Sequence, residues 1–263
     1  MKKAKESINS IKETYIKDDN SELVRLNKFI GSSGLYSRRQ ADRMIEDGEV
    51  LVDGKVAVMG MKVNNSNEVV IDGKAINSVD KLVYIVLNKP VNITCTTDPK
   101  DKTNIISYMK YPERIFPIGR LDKNSTGLIL LTNDGDIVNK VLRSTYNHEK
   151  EYIVRVDKQI DEQFINDISN GVKIYNPSQH NYEITKKCKV EQLDARTFSI
   201  ILVQGLNRQI RRMTKAFGYH VQNLQRIRIM NIELGDLNEG EWRYLSKEEF
   251  IELNKSINMR GEV

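Results

Sequence analysis

The run Gly119-Arg-Leu-Asp-Lys-Asn-Ser-Thr-Gly-Leu-Ile129 places one acid, Asp122, two residues after Arg120 in a polar stretch that leads into the apolar Leu128–Leu131. A carboxylate on a loop held by a buried strand can be aimed, and a nearby guanidinium keeps it ionised, as a catalytic carboxylate requires. The plain alternative is an Asp that shapes a turn. Two further segments hold residue types capable of chemistry. One is His148-Glu-Lys-Glu-Tyr152, whose tyrosine opens a strand; the other is Gln204-Gly-Leu-Asn-Arg-Gln-Ile-Arg-Arg212, at a strand-to-helix junction. Taken singly, the tyrosine reads as packing and the arginines as a solvated helix face.

Patterning predicts the elements that must hold these residues. From Leu23 to Val79 a small module is expected, with Leu26, Phe29 and Ile30 on one helix face and Gly31-Ser-Ser-Gly34 ending it. Ser37 can cap a second helix carrying Ala41, Met44 and Ile45 inward. Val50–Val52, Asp53-Gly54 and Lys55–Val58 read as a hairpin, and Val69–Ile71 with Asp72-Gly73 repeats the turn chemistry. The larger part opens with the apolar strand Leu82–Leu87. Gly119–Ser125 is a loop feeding the strand Gly127–Thr132. Asp136 is expected to cap the helix that follows. A strand Glu151–Val156 comes next, then an amphipathic helix around Phe164, Ile165 and Ile168 that stops at Gly171. Ile184–Val190 and Thr197–Val203 read as paired strands. A helix Asn207–Phe217 follows, with Ile210 and Met213 inward, then two strands, Val221–Leu224 and Ile227–Leu234. Ser246-Lys-Glu-Glu249 fits a capping box opening a last helix. Residues 1–22 are polar and mixed in charge, and are expected to be a mobile tail, as is 258–263.

Composition narrows the class. The chain of 263 residues is 39% hydrophobic and 29% charged, with a net charge of +5. It has no apolar run long enough for a membrane span and no secretory leader, so a soluble, cytoplasmic protein is expected. Cys95 and Cys188 lack CxxC or histidine spacing, which argues for two reduced thiols and no zinc site. No GxGxxG or GxxxxGK[ST] phosphate loop is present. Charge is concentrated locally. Four bases and no acid lie between Leu23 and Ala41, and seven bases and no acid between Asp194 and Glu233. Acid-free windows of this kind suit phosphate contact. Strands and helices alternate without a βαβ repeat, which points to an α+β fold.

Two resemblances sharpen the reading. The sequence Arg-Leu-Asn-Lys-Phe-Ile, through Ser-Arg-Arg-Gln-Ala-Asp, to the Gly-Glu-Val-Leu-Val-Asp-Gly hairpin resembles the alpha-L RNA-binding module of a small-subunit ribosomal protein, over about residues 23–80. On that likeness Arg25, Lys28, Ser37, Arg38 and Arg39 would contact RNA. Gly-Arg-Leu-Asp followed by Ser-Thr-Gly-Leu-Ile-Leu-Leu-Thr-Asn, together with His-Glu-Lys-Glu-Tyr and Gln-Gly-Leu-Asn-Arg-Gln-Ile-Arg-Arg-Met, resembles the successive motifs of RsuA-type RNA pseudouridine synthases. The likeness spans about residues 81–257 and is nearest the RluF-like branch acting on large-subunit 23S ribosomal RNA. Only Tyr175–Asn181 within the domain looks less family-like. The resemblance implies a small RNA-binding module followed by a larger, mixed, mainly antiparallel-sheet catalytic domain. It also implies roles: Asp122 as the catalytic aspartate, nucleophile or base at the ribosyl–uracil unit, Tyr152 stacking on the target base, and Arg211 pairing with Asp122. Arg120 would hold the place of the everted nucleotide, with Lys150, Asn207 and Arg208 as further RNA contacts. Isomerising uridine to pseudouridine imports no group and changes no oxidation state, so no metal or organic cofactor is expected. RNA is the expected partner, 23S ribosomal RNA first and transfer RNA as a second substrate. The rival expectation is a non-catalytic RNA-binding assembly factor using the same basic surfaces.

Overall fold

The computed structural model describes residues 3–7, 12, 14–16, 22–77, 81–142, 147–177 and 179–258, and the statements below concern these. In the N-terminal module the helix Leu26–Ser32 buries Leu26, Phe29 and Ile30. The helix Arg38–Glu46 opens on a reciprocal cap, in which the Ser37 hydroxyl oxygen accepts from the Gln40 N–H and the Gln40 side chain accepts from the Ser37 N–H. Val50–Val52 pairs with Lys55–Val56, and Val69–Ile71 with Lys74–Ala75. Both turns are Asp-Gly with positive φ at each residue: 49° and 77° at Asp53-Gly54, 51° and 70° at Asp72-Gly73. That geometry is what two-residue hairpins need. One apolar core, including Ile30, Ala41, Val50, Val63 and Ile71, joins helices to strands.

The larger domain is built on one twisted sheet. From one edge its order is Lys5–Glu6, Glu241–Tyr244, Tyr84–Lys89, Thr126–Thr132, Val221–Ile229, Lys150–Val156, Thr197–Leu202 and Lys189–Asp194. Phe116–Ile118 adds to the fourth of these strands and Ile232–Glu233 to the fifth. Pairing is antiparallel apart from Lys5–Glu6 on Glu241–Trp242 and Thr126–Gly127 on Gln225–Arg226. Tyr84–Lys89 and Thr126–Thr132 are buried along their whole length. Both faces are therefore covered, which explains apolar runs without polar alternation. Ile85, Leu87, Ile129 and Leu131 pack with Tyr108 and Trp242 on one face. Val86, Leu128 and Leu130 pack with Ile137, Val141, Leu253 and Ile257 on the other. A third core lies under the far half, where Val154, Phe198 and Ile200 meet Phe164 and Ile168 of the helix Glu162–Ser169 and Ile210 and Met213 of the helix Gln209–Ala216.

The two halves of the sheet meet at the short parallel contact Thr126–Gly127 with Gln225–Arg226. Gly127 makes that approach possible: its φ is 103°, and a Cβ there would lie 2.2 Å from the Arg226 carbonyl oxygen. The cleft described below opens over this seam. The small module is fastened to the larger domain by a Lys28–Asp136 ion pair of 2.7 Å and by the Arg114 guanidinium donating to the Tyr36 carbonyl at 2.7 Å.

Several expectations are corrected. Within the segment read as a mobile tail, Lys5–Glu6 and Tyr15–Ile16 are strands on the larger domain, the latter paired with Lys81–Leu82. Tyr15 stacks on Phe250 at 3.8 Å between ring centroids and donates its hydroxyl to the Leu245 carbonyl. Most of the expected tail at 258–263 lies outside the described residues. The helix Gly135–Leu142 takes its cap from Asp134, whose carboxylate accepts the Asp136 N–H at 2.9 Å. The strand expected over Ile184–Val190 is interrupted: Ile184 ends the strand Asn181–Ile184, residues 185–188 form no strand, and Lys189 opens the strand Lys189–Asp194; the first pairs with Lys173–Asn176 in a separate hairpin. Val221–Ile229 runs unbroken, where two strands were expected.

Candidate active site

Asp122 sits on a loop whose backbone is fastened at nearly every residue. The Arg120 carbonyl accepts from Arg226 Nη1 at 3.5 Å, the Leu121 N–H donates to the Cys95 sulfur at 3.4 Å, and the Lys123 carbonyl accepts the Asn92 N–H at 2.8 Å. Beyond the acid, Arg211 Nη2 donates to the Asn124 carbonyl at 2.9 Å and to the Ser125 hydroxyl at 3.3 Å. Leu121 is buried, so the neighbouring side chain is turned toward the cleft rim by the core itself. The Asp122 carboxylate lies 3.9 Å from Arg211 Nε, within ion-pair range and beyond hydrogen-bond length. That Nε is buried and finds no hydrogen-bond partner. Arg211 is also fixed from behind by donation to the Val221 carbonyl at 3.2 Å. Desolvation lowers the Arg211 pKa, Arg208 adds to this, and Asp122 opposes it.

Tyr152 lies mid-sheet opposite Arg226, in register on the neighbouring strand. The Arg226 guanidinium stands 6.0 Å from the Tyr152 ring centroid, within cation–π range. Arg226 is buried and donates through Nε to the Leu128 carbonyl at 2.7 Å. One residue therefore ties the aromatic strand, the strand after the Asp122 loop, and the loop itself. Lys150, two residues before Tyr152, donates to the His148 carbonyl at 3.0 Å. Burial, helped by Arg226, lowers its pKa to about 8. Lys89 is wholly buried, donating to the Pro90 and Ile93 carbonyls at 2.7 and 3.1 Å. Its pKa is likewise lowered to about 8, chiefly by desolvation, with Asp122 among the groups that oppose the shift.

Asp122, Tyr152, Arg211, Arg120, Lys150, Asn207 and Arg208 all line one open cleft of about 750 Å³. Seven expected residues from three distant segments are thus brought together. A cleft of this size admits a nucleotide. The module's expected contacts divide. Arg25, Lys28 and Arg38 line a smaller concavity of about 320 Å³, joined by Lys62, and Arg39 is exposed. Lys28 is paired with Asp136 and the Ser37 oxygen serves its helix cap, so both have structural work besides any contact with RNA. Arg228, counted in the acid-free window, is neutralised by Glu151 at 2.8 Å and Glu149 at 3.0 Å. A window free of acid in sequence need not be so in space. Reading the sequence missed Arg226, Lys89 and Lys62. Arg226 had a weak signal, as a base inside a strand of the acid-free window; Lys62 had none.

Residues 83–216 match the family model for RNA pseudouridylate synthase, and residues 24–70 match that for the S4 domain. The chain belongs to the RsuA-type RNA pseudouridine synthases. It is 51% identical over 243 residues to the dual-specificity RNA pseudouridine synthase RluF of Escherichia coli K12, covering 91% of this chain and 82% of that one. It is 33% identical over 234 residues to the ribosomal large subunit pseudouridine synthase B of Bacillus subtilis, covering 86% and 94%. A crystal structure of a pseudouridylate synthase superposes with a TM-score of 0.64 at 29% identity, over 88% of this chain and 99% of that one. This pseudouridine synthase is therefore an enzyme isomerising uridine in RNA, with an S4 RNA-binding domain ahead of a mainly antiparallel catalytic domain. The non-catalytic assembly factor is set aside.

Proposed function

We propose that this enzyme isomerises one uridine in 23S ribosomal RNA, with transfer RNA as a second substrate, and that the ionised Asp122 is its catalytic carboxylate, acting as nucleophile or base. The observation that carries the assignment is the pairing of a partly exposed carboxylate with the half-buried Arg211 at 3.9 Å, inside a cleft lined by Tyr152. Uridine in a duplex is out of reach, so the nucleotide is everted and its base lies on the Tyr152 ring. Asp122 then faces the sugar, where the bond from base nitrogen to the anomeric carbon breaks and a bond to the base carbon forms; that carbon gives up its hydrogen as a proton and the freed nitrogen takes one up. Arg211, Arg226 and Lys150 surround this point with positive charge, which favours a departing base carrying negative charge. Arg120 and Arg208, at the exposed rim, meet the flanking phosphates, as does Asn207 through its amide. The choice of RNA rests on what the relatives' names state: dual specificity for one, the large ribosomal subunit for another.

Pseudouridine mapping of total RNA from cells carrying Asp122→Asn tests the assignment. One modification in large-subunit RNA is expected to vanish, turnover in vitro to fall by about a hundredfold or more, and RNA binding to survive. An unchanged modification pattern would refute the role of Asp122.

A further inference from the structure

The hairpin of Lys173–Asn176 and Asn181–Ile184 presents an unusual outer face. Its register sets Lys173 opposite Ile184 and Tyr175 opposite Tyr182, so these four side chains share one side. All four are exposed, Tyr182 at 66% and Ile184 at 72%, whereas Ile174 and Asn176 on the other side are buried. The two tyrosine rings meet edge to face at 5.3 Å, and Lys173 Nζ stands 5.5 Å from the Tyr182 centroid. A cross-strand aromatic pair stabilises a small hairpin, but that purpose does not require rings left this open to water.

Position and charge say what the face meets. Arg212 donates through Nη1 to the Tyr175 carbonyl and through Nη2 to Asn207 Oδ1 at 3.0 Å. At the other end of the hairpin, the Lys186 N–H donates to Gln204 Oε1 at 2.7 Å. Asn207 and Gln204 both line the cleft of Asp122, so the hairpin continues the cleft wall. Residues 173–189 hold four lysines and one acid, Glu183, whose carboxylate accepts from the Asn176 amide. Exposed rings flanked by cations, beside a site that takes RNA, match the composition of surfaces that stack unpaired bases while meeting their phosphates.

We propose that the outer face of this hairpin is a second RNA-contact surface, on which Tyr175 and Tyr182 stack unpaired bases flanking the uridine held in the cleft. Lys173 and Arg212 meet the phosphates between them. The proposal rests on the RNA-modifying reading of the cleft and adds to it a place for single-stranded neighbours of the target.

The test uses full-length protein and a fluorescent single-stranded oligouridylate of about twelve nucleotides. Tyr175→Ala with Tyr182→Ala is expected to weaken binding by about tenfold or more, while Tyr175→Phe with Tyr182→Phe keeps the rings and the affinity. The same oligonucleotide carrying 5-iodouridine is expected to photocrosslink to Tyr175 or Tyr182 in the wild type, a readout that needs no variant to fold. Unchanged affinity of the alanine variant together with crosslinks elsewhere overturns the proposal. So does a variant that binds RNA normally but changes its sedimentation, which would assign the face to protein contact. Pseudouridine formation by the same wild-type preparation separates two failures. An active enzyme with an indifferent hairpin overturns this surface alone; an inactive one overturns the reading beneath it.

Discussion

At the scale of residues, the cleft sets one carboxylate among several cations that are short of water. Among the cations lining the cleft, Lys150 has its pKa brought to about 8 by burial and Arg226, so its charge can change near neutrality. The sign follows from the direction. Below about pH 8 Lys150 carries its proton and attracts RNA; above it the free enzyme loses that charge, though RNA phosphate, once bound, holds the proton on. The protonated form therefore matters for capture more than for turnover, and kcat/KM is expected to fall above about pH 8 while kcat falls less. Lys150→Gln should lower kcat/KM at neutral pH and flatten that alkaline limb. A limb left unchanged in the variant would assign it to another group, with the buried Lys89 the first to consider.

At the scale of elements, the seam between the two halves of the sheet is the feature most exposed to a small change. Gly127 lies at a φ of 103° with the Arg226 backbone where a methyl group would sit. Gly127→Ala must push apart the strands that carry the catalytic loop and Arg226. A stability loss of about 3 kcal/mol or more is expected in chemical denaturation, with activity lost at temperatures where the fold survives. A denaturation midpoint like that of the wild type would show that the seam can yield. The reach of the sequence is clear in such elements. Asp-Gly turns, the Ser37 and Ser246 caps and the apolar strands were legible because turn, cap and burial chemistry are local. Asp122, Tyr152 and Arg211 were legible as three motifs, though not their distances, which depend on strands far apart in the chain. The hairpin Lys173–Ile184 escaped because Asn, Gln and Pro dilute its alternation and its exposed face is the apolar one. Val221–Ile229 was split at Gln225-Arg226, because the burial of Arg226 is made tolerable only by the distant Leu128 and Arg120 carbonyls. Lys5–Glu6 and Tyr15–Ile16 escaped because two-residue strands carry no period at all.

At the scale of the whole molecule, the module and the catalytic domain divide the handling of RNA, and the Lys28–Asp136 pair with the Arg114 bond to Tyr36 keeps them in one arrangement. Arg38 and Arg39 stand clear of that junction's hydrogen bonds and are exposed. Arg38→Glu with Arg39→Glu should weaken capture of long structured RNA and make the salt dependence of binding shallower by roughly two phosphate contacts. Turnover of a saturating short substrate should change little; equal losses on both would contradict the division. The sheet beneath has a further consequence. Its two rims are dressed differently, one closed by Lys5–Glu6 alongside Glu241–Tyr244, the other the strand Lys189–Asp194 with Lys189, Glu191 and Asp194 exposed. An edge strand of only two residues at one rim and a row guarded by charge at the other give a foreign strand little to pair with, so a wide sheet need not recruit a neighbour.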